Sequence, residues 1–319
     1  MKVGLYSISY AGLWYKGEAL TVEEFIDRAV KFGYDGIEID GKRPHGFPLD
    51  WPDEKRKKIR KLAESKGLEI IGVASNNNFT SPFMEQRENE LLMLAEQIRL
   101  CHDLGGKAVR VFLAWRGISR IDGKGNYDIP GKYDIDHISP DSTFWQKWTW
   151  AKEALKEAAK IAEKYGITLA LQNHEPLIRN YKDIVLMVNE VGSEYLKCCL
   201  DCPLLESNTP EYARKAVEEV GDLQVLSHFS GEFARQNNGE VDLAVVTGME
   251  YWPLPSYPEF VNALYDNGYD GYLSYECCHP ILNEQHEMVG IEKVDKQVQL
   301  AQEYMRRLIR EAEAVERKR

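Results

Sequence analysis

Three short apolar runs in the second half of the chain each end on a residue able to bind a metal ion. LKCCLD closes on Asp201, VLSHF carries His228, and YLSYE closes on Glu276. A carboxylate, an imidazole and a second carboxylate at three successive strand ends form a mixed oxygen and nitrogen donor set. It suits Mn2+ first, and also Co2+, Mg2+ or Zn2+. A fourth run, ITLALQNHE, ends on Gln172, Asn173, His174 and Glu175, and Gln172 is a further candidate ligand through its amide oxygen. A divalent ion bridging a carbonyl and its neighbouring hydroxyl acts as a Lewis acid for the enediolate formed when the adjacent C–H proton leaves. Only a placed base is then needed. Glu276 is the first choice for a base that also ligates, and His174 for the group acting on the opposite side.

Further polar residues stand where a substrate would meet them. The run DGIEID ends in Glu38 and Asp40, and the loop GKRPHGFPLDW after it offers Lys42, Arg43 and His45 to an anionic or polyhydroxyl ligand. Trp115 with Arg116, Glu175, Glu232 and Arg235 follow other apolar runs. Glu38, Lys42, Arg43, Trp115, Glu175, Glu232 and Arg235 are therefore the candidate substrate-binding residues. An aromatic ring such as Trp115 stacks on the apolar face of a sugar or on a phenolic group, or simply packs a loop.

What must position these residues is a unit that recurs seven times: an amphipathic stretch, a glycine, a few polar residues, then a short apolar run. It begins at Phe32, Lys66, Leu104, Tyr165, Val191, Val220 and Asn267. Glycine supplies the left-handed C-cap that ends a helix, so each unit reads as a helix feeding a strand. With the N-terminal strand there are eight. Near-continuously apolar strands alternating with helices imply a parallel sheet covered on its faces, and eight units imply closure into a (β/α)8 barrel. No G-x-G-x-x-G follows the first strand to support a dinucleotide fold.

Strands are expected near 2–8, 35–40, 69–75, 107–113, 167–172, 197–201, 223–228 and 272–276. Thr21 and Glu24 form a capping-box pattern before Phe25, Ile26, Ala29 and Val30. Residues 114–144 and 229–255, after strands four and seven, are the expected active-site loops. The whole chain, 1–319, reads as one domain with a frayed tail over 314–319.

Composition narrows the function. The net charge of -11 disfavours a surface that tracks a nucleic-acid backbone. No apolar run is long enough to span a bilayer, and the N-terminus lacks a secretory pattern, so a cytoplasmic enzyme of small molecules is expected. Six cysteines in such a chain are expected as reduced thiols. Cys199 and Cys202 form a lone C-x-x-C and read as small core residues rather than ligands.

On DGIEID, LALQNH, CLD, LSHF and YLSYE, the chain resembles the xylose-isomerase-like superfamily, specifically its sugar phosphate isomerase/epimerase group, over nearly its whole length. The resemblance implies a metal held by Gln172, Asp201, His228 and Glu276, a carbohydrate substrate and a homo-oligomer. The family places a glutamate where this chain has Gln172. That glutamate also serves keto-sugar epimerases as one of two bases, and an amide cannot take a proton. The resemblance thus leaves two chemistries open. Returning the proton gives an isomerase or epimerase of a keto sugar. Expelling a leaving group gives a lyase acting on a 3-oxo-glycoside, as in the large subunit of C-glycoside-cleaving enzymes, which brings a possible partner subunit. Apurinic-site nucleases share the barrel but need more histidines and a basic face than this chain has.

Overall fold

Alternation along the strands sorts each into one face turned to the lumen and one turned to the helices, and that sorting decides which residues can form a site. The computed structural model describes residues 1–121, 124–127, 142–250 and 253–316. Eight parallel strands close into a barrel: β1 (Lys2–Tyr6), β2 (Gly36–Asp40), β3 (Glu69–Ala74), β4 (Ala108–Val111), β7 (Thr168–Gln172), β8 (Leu196–Cys199), β9 (Gln224–Phe229) and β12 (Tyr272–Tyr275). Two antiparallel hairpins lie outside it, β5 (Ser119–Ile121) with β6 (Lys124–Asn126), and β10 (Glu232–Arg235) with β11 (Val241–Ala244).

Eight α-helices among the described residues connect the strands: α1 (Val22–Lys31), α2 (Asp53–Ser65), α3 (Met84–Leu104), α4 (Phe144–Tyr165), α5 (Tyr181–Val191), α6 (Pro210–Val220), α7 (Tyr257–Asp266) and α8 (Ile291–Glu316). The expected capping box is present at α1, where the Thr21 side chain accepts from the Glu24 amide and the Glu24 carboxylate accepts from the Thr21 amide. None of the described helices is long and apolar enough to cross a membrane.

The helix-facing residues Val3, Leu5, Ile37, Ile39, Val109, Val111, Leu169, Leu171, Leu273 and Tyr275 are buried in the main core with the helices. The lumen holds a second, smaller apolar layer of Ile71, Ala170, Cys199 and Leu226. One residue pair further along the strands the lumen turns polar, with Glu38, Arg110, Gln172, Asp201 and His228 all buried. The apolar layer is the floor on which the site stands.

Two register shifts set this polar layer. Between Ile37 and Glu38 the β2–β3 pairing slips by one residue, and between Cys198 and Cys199 the β8–β9 pairing does the same. A bulge re-aims side chains, and these two flank the positions that supply Glu38, Asp201 and His228.

The barrel strands fall within a residue or two of the expected spans. The first is shorter than expected because Ser7–Tyr10 turns into a 3-10 helix, where the Ser7 hydroxyl accepts from the Asp40 amide at 2.8 Å. The stretch 114–144 is not irregular throughout. It contains the β5–β6 hairpin, whose Gly125 backbone lies against the Trp14 ring, while 122–123 and 128–141 lie outside the described residues. The loop expected over 229–255 likewise carries the β10–β11 hairpin, with 251–252 outside the described residues. The closing helix runs to Glu316, three residues into the expected frayed tail, because its apolar stripe keeps Leu308, Ile309 and Ala312 buried near its end. Residues 317–319 lie outside the described residues.

Gly72 sits where β3 is pressed between β2 and β4, opposite Glu38 on one side and Ala108 on the other. A Cβ there would lie 1.9 Å from the Ala108 carbonyl oxygen. Backbone cannot retreat as a side chain can. Gly72→Ala is therefore expected to lower stability by about 1–3 kcal/mol or more, read from urea unfolding midpoints. An unchanged midpoint would contradict this reading of the strand packing.

Candidate active site

The site is built on His228, which is fully buried between two carboxylates. Its Nε2 lies 2.7 Å from Glu38 Oε2 and its Nδ1 lies 3.2 Å from Asp201 Oδ2. Burial alone would discharge the ring, but the flanking charges of Glu38 and Asp201 outweigh it and hold the His228 pKa well above the ordinary value. Asp201 is fixed from its other side. Its Oδ1 accepts from the His228 amide at 2.6 Å, and its own amide donates to Asn173 Oδ1 at 2.8 Å.

Gln172 joins this pair, with its amide nitrogen donating to Asp201 Oδ2. Its oxygen faces the other way and accepts from Arg110 Nη1 at 2.7 Å. Arg110 is buried, donates also to the Tyr6 hydroxyl at 3.0 Å, and lies over the rings of Tyr6 and Phe112 at 5.2 and 4.3 Å. Tyr6 in turn donates to Asp40, whose charge is met by Lys42 at 2.8 Å. Glu276 stands beside this cluster. Desolvation raises its pKa, opposed by the nearby positive charges of His228 and Arg110.

Among the described residues, the His, Cys and carboxylate donor atoms that come within 4.8 Å of one another are those of Cys199, Asp201 and His228. The expected trio thus meets in part: Asp201 and His228 touch, while Glu276 stays outside this tight group. The donor set fits a divalent cation. The carboxylates of Glu38, Asp201 and Glu276 gather around one imidazole, and Glu38 Oε1 is buried with no hydrogen-bond partner. Buried negative charge of this density needs a cation to offset its lost hydration.

His174 and Trp115 form one wall of the mouth. The His174 ring meets Phe112 and Trp115 edge-on, each at 5.1 Å, and Trp115 stacks on Phe112 at 4.8 Å. Tyr127 extends the wall, edge-on to Trp115 at 6.3 Å and stacked on Trp14 at 5.3 Å. Desolvation holds the His174 pKa down to about 4, so the ring is neutral near pH 7. Nδ1 lies 2.7 Å from the Glu175 carbonyl oxygen, which makes it the protonated nitrogen and leaves Nε2 as the acceptor.

The expected substrate contacts lie as follows. Glu38 is spent on His228. Lys42 is half-buried and held by Asp40 and Asn76. Arg43 is exposed and forked onto Asp50 at 2.7 and 2.8 Å, the geometry in which a planar guanidinium meets a carboxylate. Arg235 points outward to Glu303 on the closing helix at 2.6 Å. Glu175 is exposed and meets the site through its carbonyl. Glu232 remains close, partly buried 3.7 Å from His279.

Arg110, Tyr6 and Cys199 were missed. Arg110 had a readable signal, a lone charge inside the apolar run AVRVFL. Cys199 carries only a weak one, the lone C-x-x-C with Cys202, and reads as packing.

Comparison with known proteins follows the same lines. Fructoselysine 3-epimerase of Escherichia coli O157:H7 is 23% identical over 292 residues, covering 89% of this chain and 93% of that protein. D-psicose 3-epimerase of Clostridium cellulolyticum H10 superposes with a TM-score of 0.68 at 19% identity, covering 97% of this chain and 99% of the other. A 3-keto-D-glucoside 4-epimerase from E. coli superposes with a TM-score of 0.65 at 16% identity, covering 96% and 99%. At such identities the superpositions show a shared barrel. The family match runs over residues 26–313, and on it the chain belongs to the xylose isomerase-like TIM barrel family.

Proposed function

We propose that the chain is a divalent-metal-dependent epimerase or isomerase of a keto sugar or sugar derivative, acting by proton abstraction next to a carbonyl. The observation that carries this reading is the buried Asp201–His228 contact, with Glu276 beside it, at the strand ends that form the mouth of the barrel. The curated relative and the solved structures named above are sugar epimerases, which supports the same chemistry.

Asp201 and His228 would hold the ion, with Glu276 as a further candidate ligand beside them. Such an ion supplies Lewis-acid polarisation of the substrate carbonyl and its neighbouring hydroxyl. Glu276 is the base: burial has raised its pKa toward working pH, where a carboxylate is a better proton acceptor. Neutral His174, with Nε2 free of the Glu175 carbonyl, exchanges a proton on the other face. Trp115 and Phe112 close one side of the pocket to water and offer an apolar wall to the ring of the substrate. Arg110 and Gln172 form a neutral-plus-cation pair where a second carboxylate base would stand.

That last feature favours a second reading, elimination from a 3-oxo-glycoside. With Gln172 locked onto Arg110, the site retains a single carboxylate base, and a one-base site suits loss of a leaving group. Under this reading a partner subunit belongs to the working enzyme, whereas the epimerase reading calls for a homo-oligomer. Incubation with ketoses, sugar phosphates and 3-oxo-glycosides in D2O separates the two by NMR. Carbon-bound deuterium without fragmentation is expected. Release of an aglycone would transfer the assignment to the lyase, and no exchange with any class would sink both.

Glu276→Gln is expected to lower kcat on the order of 10²–10⁴-fold and to abolish deuterium incorporation. His174→Gln is expected to cost a similar factor in turnover while leaving the protein folded. The acid limb of kcat/KM follows Glu276. Its pKa is raised, so activity falls as pH drops through a value above the ordinary 4.5. His174, down at about 4, stays neutral across that range and does not set the limb. A limb that moves in His174→Gln would contradict these roles.

A further inference from the structure

Gln172 turns its oxygen away from Asp201 and onto Arg110. Oε1 accepts from Arg110 Nη1 at 2.7 Å and the amide nitrogen faces Asp201. Turning the amide over would set NH2 against a guanidinium and oxygen against a carboxylate, so the network fixes the orientation seen. The donor position that the family resemblance assigns to Gln172 is thereby empty of a lone pair. The residue facing Gln172 on the neighbouring strand is Cys199.

Cys199 Sγ is buried, 3.5 Å from His228 Nδ1 and 3.4 Å from Asp201 Oδ1, and Nδ1 is 3.2 Å from Asp201 Oδ2. Bond lengths of about 2.3 Å to sulfur and about 2.0–2.1 Å to nitrogen and oxygen give ligand-to-ligand edges of about 3.3–3.6 Å in a tetrahedral site. The two sulfur spacings fall within those edges, and the 3.2 Å spacing from Nδ1, made to the other oxygen of Asp201, lies just below them. The opposite nitrogen of His228 is meanwhile turned onto Glu38 at 2.7 Å, the arrangement in which a carboxylate orients a metal-binding histidine through its far nitrogen. Packing alone would account for Cys199 in the lumen layer with Ile71, Ala170 and Leu226, but it does not require the thiol to face both Asp201 and His228.

We propose that Cys199 is a metal ligand, forming with Asp201 and His228 a sulfur, oxygen and nitrogen donor set that selects Zn2+ or Co2+ over Mn2+ or Mg2+. The inference rests on the reading that Asp201 and His228 hold a divalent ion. On binding, the thiol S–H bond and the His228 Nδ1–H bond break, bonds from the metal to Sγ and Nδ1 form, and the two protons pass to solvent, with no change of oxidation state. A thiolate is a soft donor, which hard oxygen-seeking ions gain little from.

The test uses the full-length protein stripped of metal and titrated with Co2+, read by absorption and by chelator competition rather than by turnover. A near-ultraviolet sulfur-to-cobalt charge-transfer band is expected in the unaltered protein. It is expected to vanish in Cys199→Ser and to persist in Cys278→Ser, the other thiol near Glu276. Zn2+ affinity should fall at least about tenfold in Cys199→Ser, the lower bound seen for even an outer-sphere partner, with Mn2+ affinity little changed. Circular dichroism checks that the variant folds, and the band in the unaltered protein stands independently of any variant. Tight Co2+ binding without a sulfur band, or a band lost in Cys278→Ser instead, would overturn the assignment of Cys199 while leaving the metal reading intact. Absence of any Co2+ or Zn2+ binding would overturn both.

Discussion

Everything in the upper lumen depends on an imidazole held between two carboxylates. Glu38 and Asp201 approach His228 from opposite nitrogens, and all three side chains are fully buried. Such an arrangement is costly unless a cation completes it. Asn173 fixes the Asp201 backbone, Gln172 braces its carboxylate, and Arg110 braces Gln172. The chain of contacts runs on through Tyr6 to Asp40 and Lys42, so five barrel strands are tied to one charge balance.

The barrel makes this possible by layering. Below the polar tier, Ile71, Ala170, Cys199 and Leu226 plug the lumen and exclude water from beneath. Two one-residue slips in register, on either side of the barrel, turn Glu38 and His228 inward to the same height. Above, the stacked rings of Phe112 and Trp115 with the edge of His174 shield one side. Low dielectric strengthens every interaction in between.

Much of this was legible beforehand. Glycine-ended helices feeding apolar strands imply the barrel, and the strand-end rule points to Asp201, His228 and Glu276 because that rule depends only on chain direction. The misses share a physical cause. Arg43 and Arg235 read as mouth residues from position alone, but a flexible cation takes the nearest exposed carboxylate, and which one is nearest is decided by helices far off in sequence. Glu38 reads as a substrate contact because a strand end says nothing about partners, and His228 lies across the barrel from it. Arg110 and Cys199 both face the lumen, where strand alternation places a residue but cannot say what it touches.

The most direct measurement is a crystal structure of the Co2+- or Zn2+-loaded protein with anomalous diffraction at the metal edge. The account predicts one ion bound through His228 Nδ1 and Asp201, with Glu38 still on Nε2. An ion on the Nε2 side that displaces Glu38, or no ion near His228 under saturating metal, would contradict it.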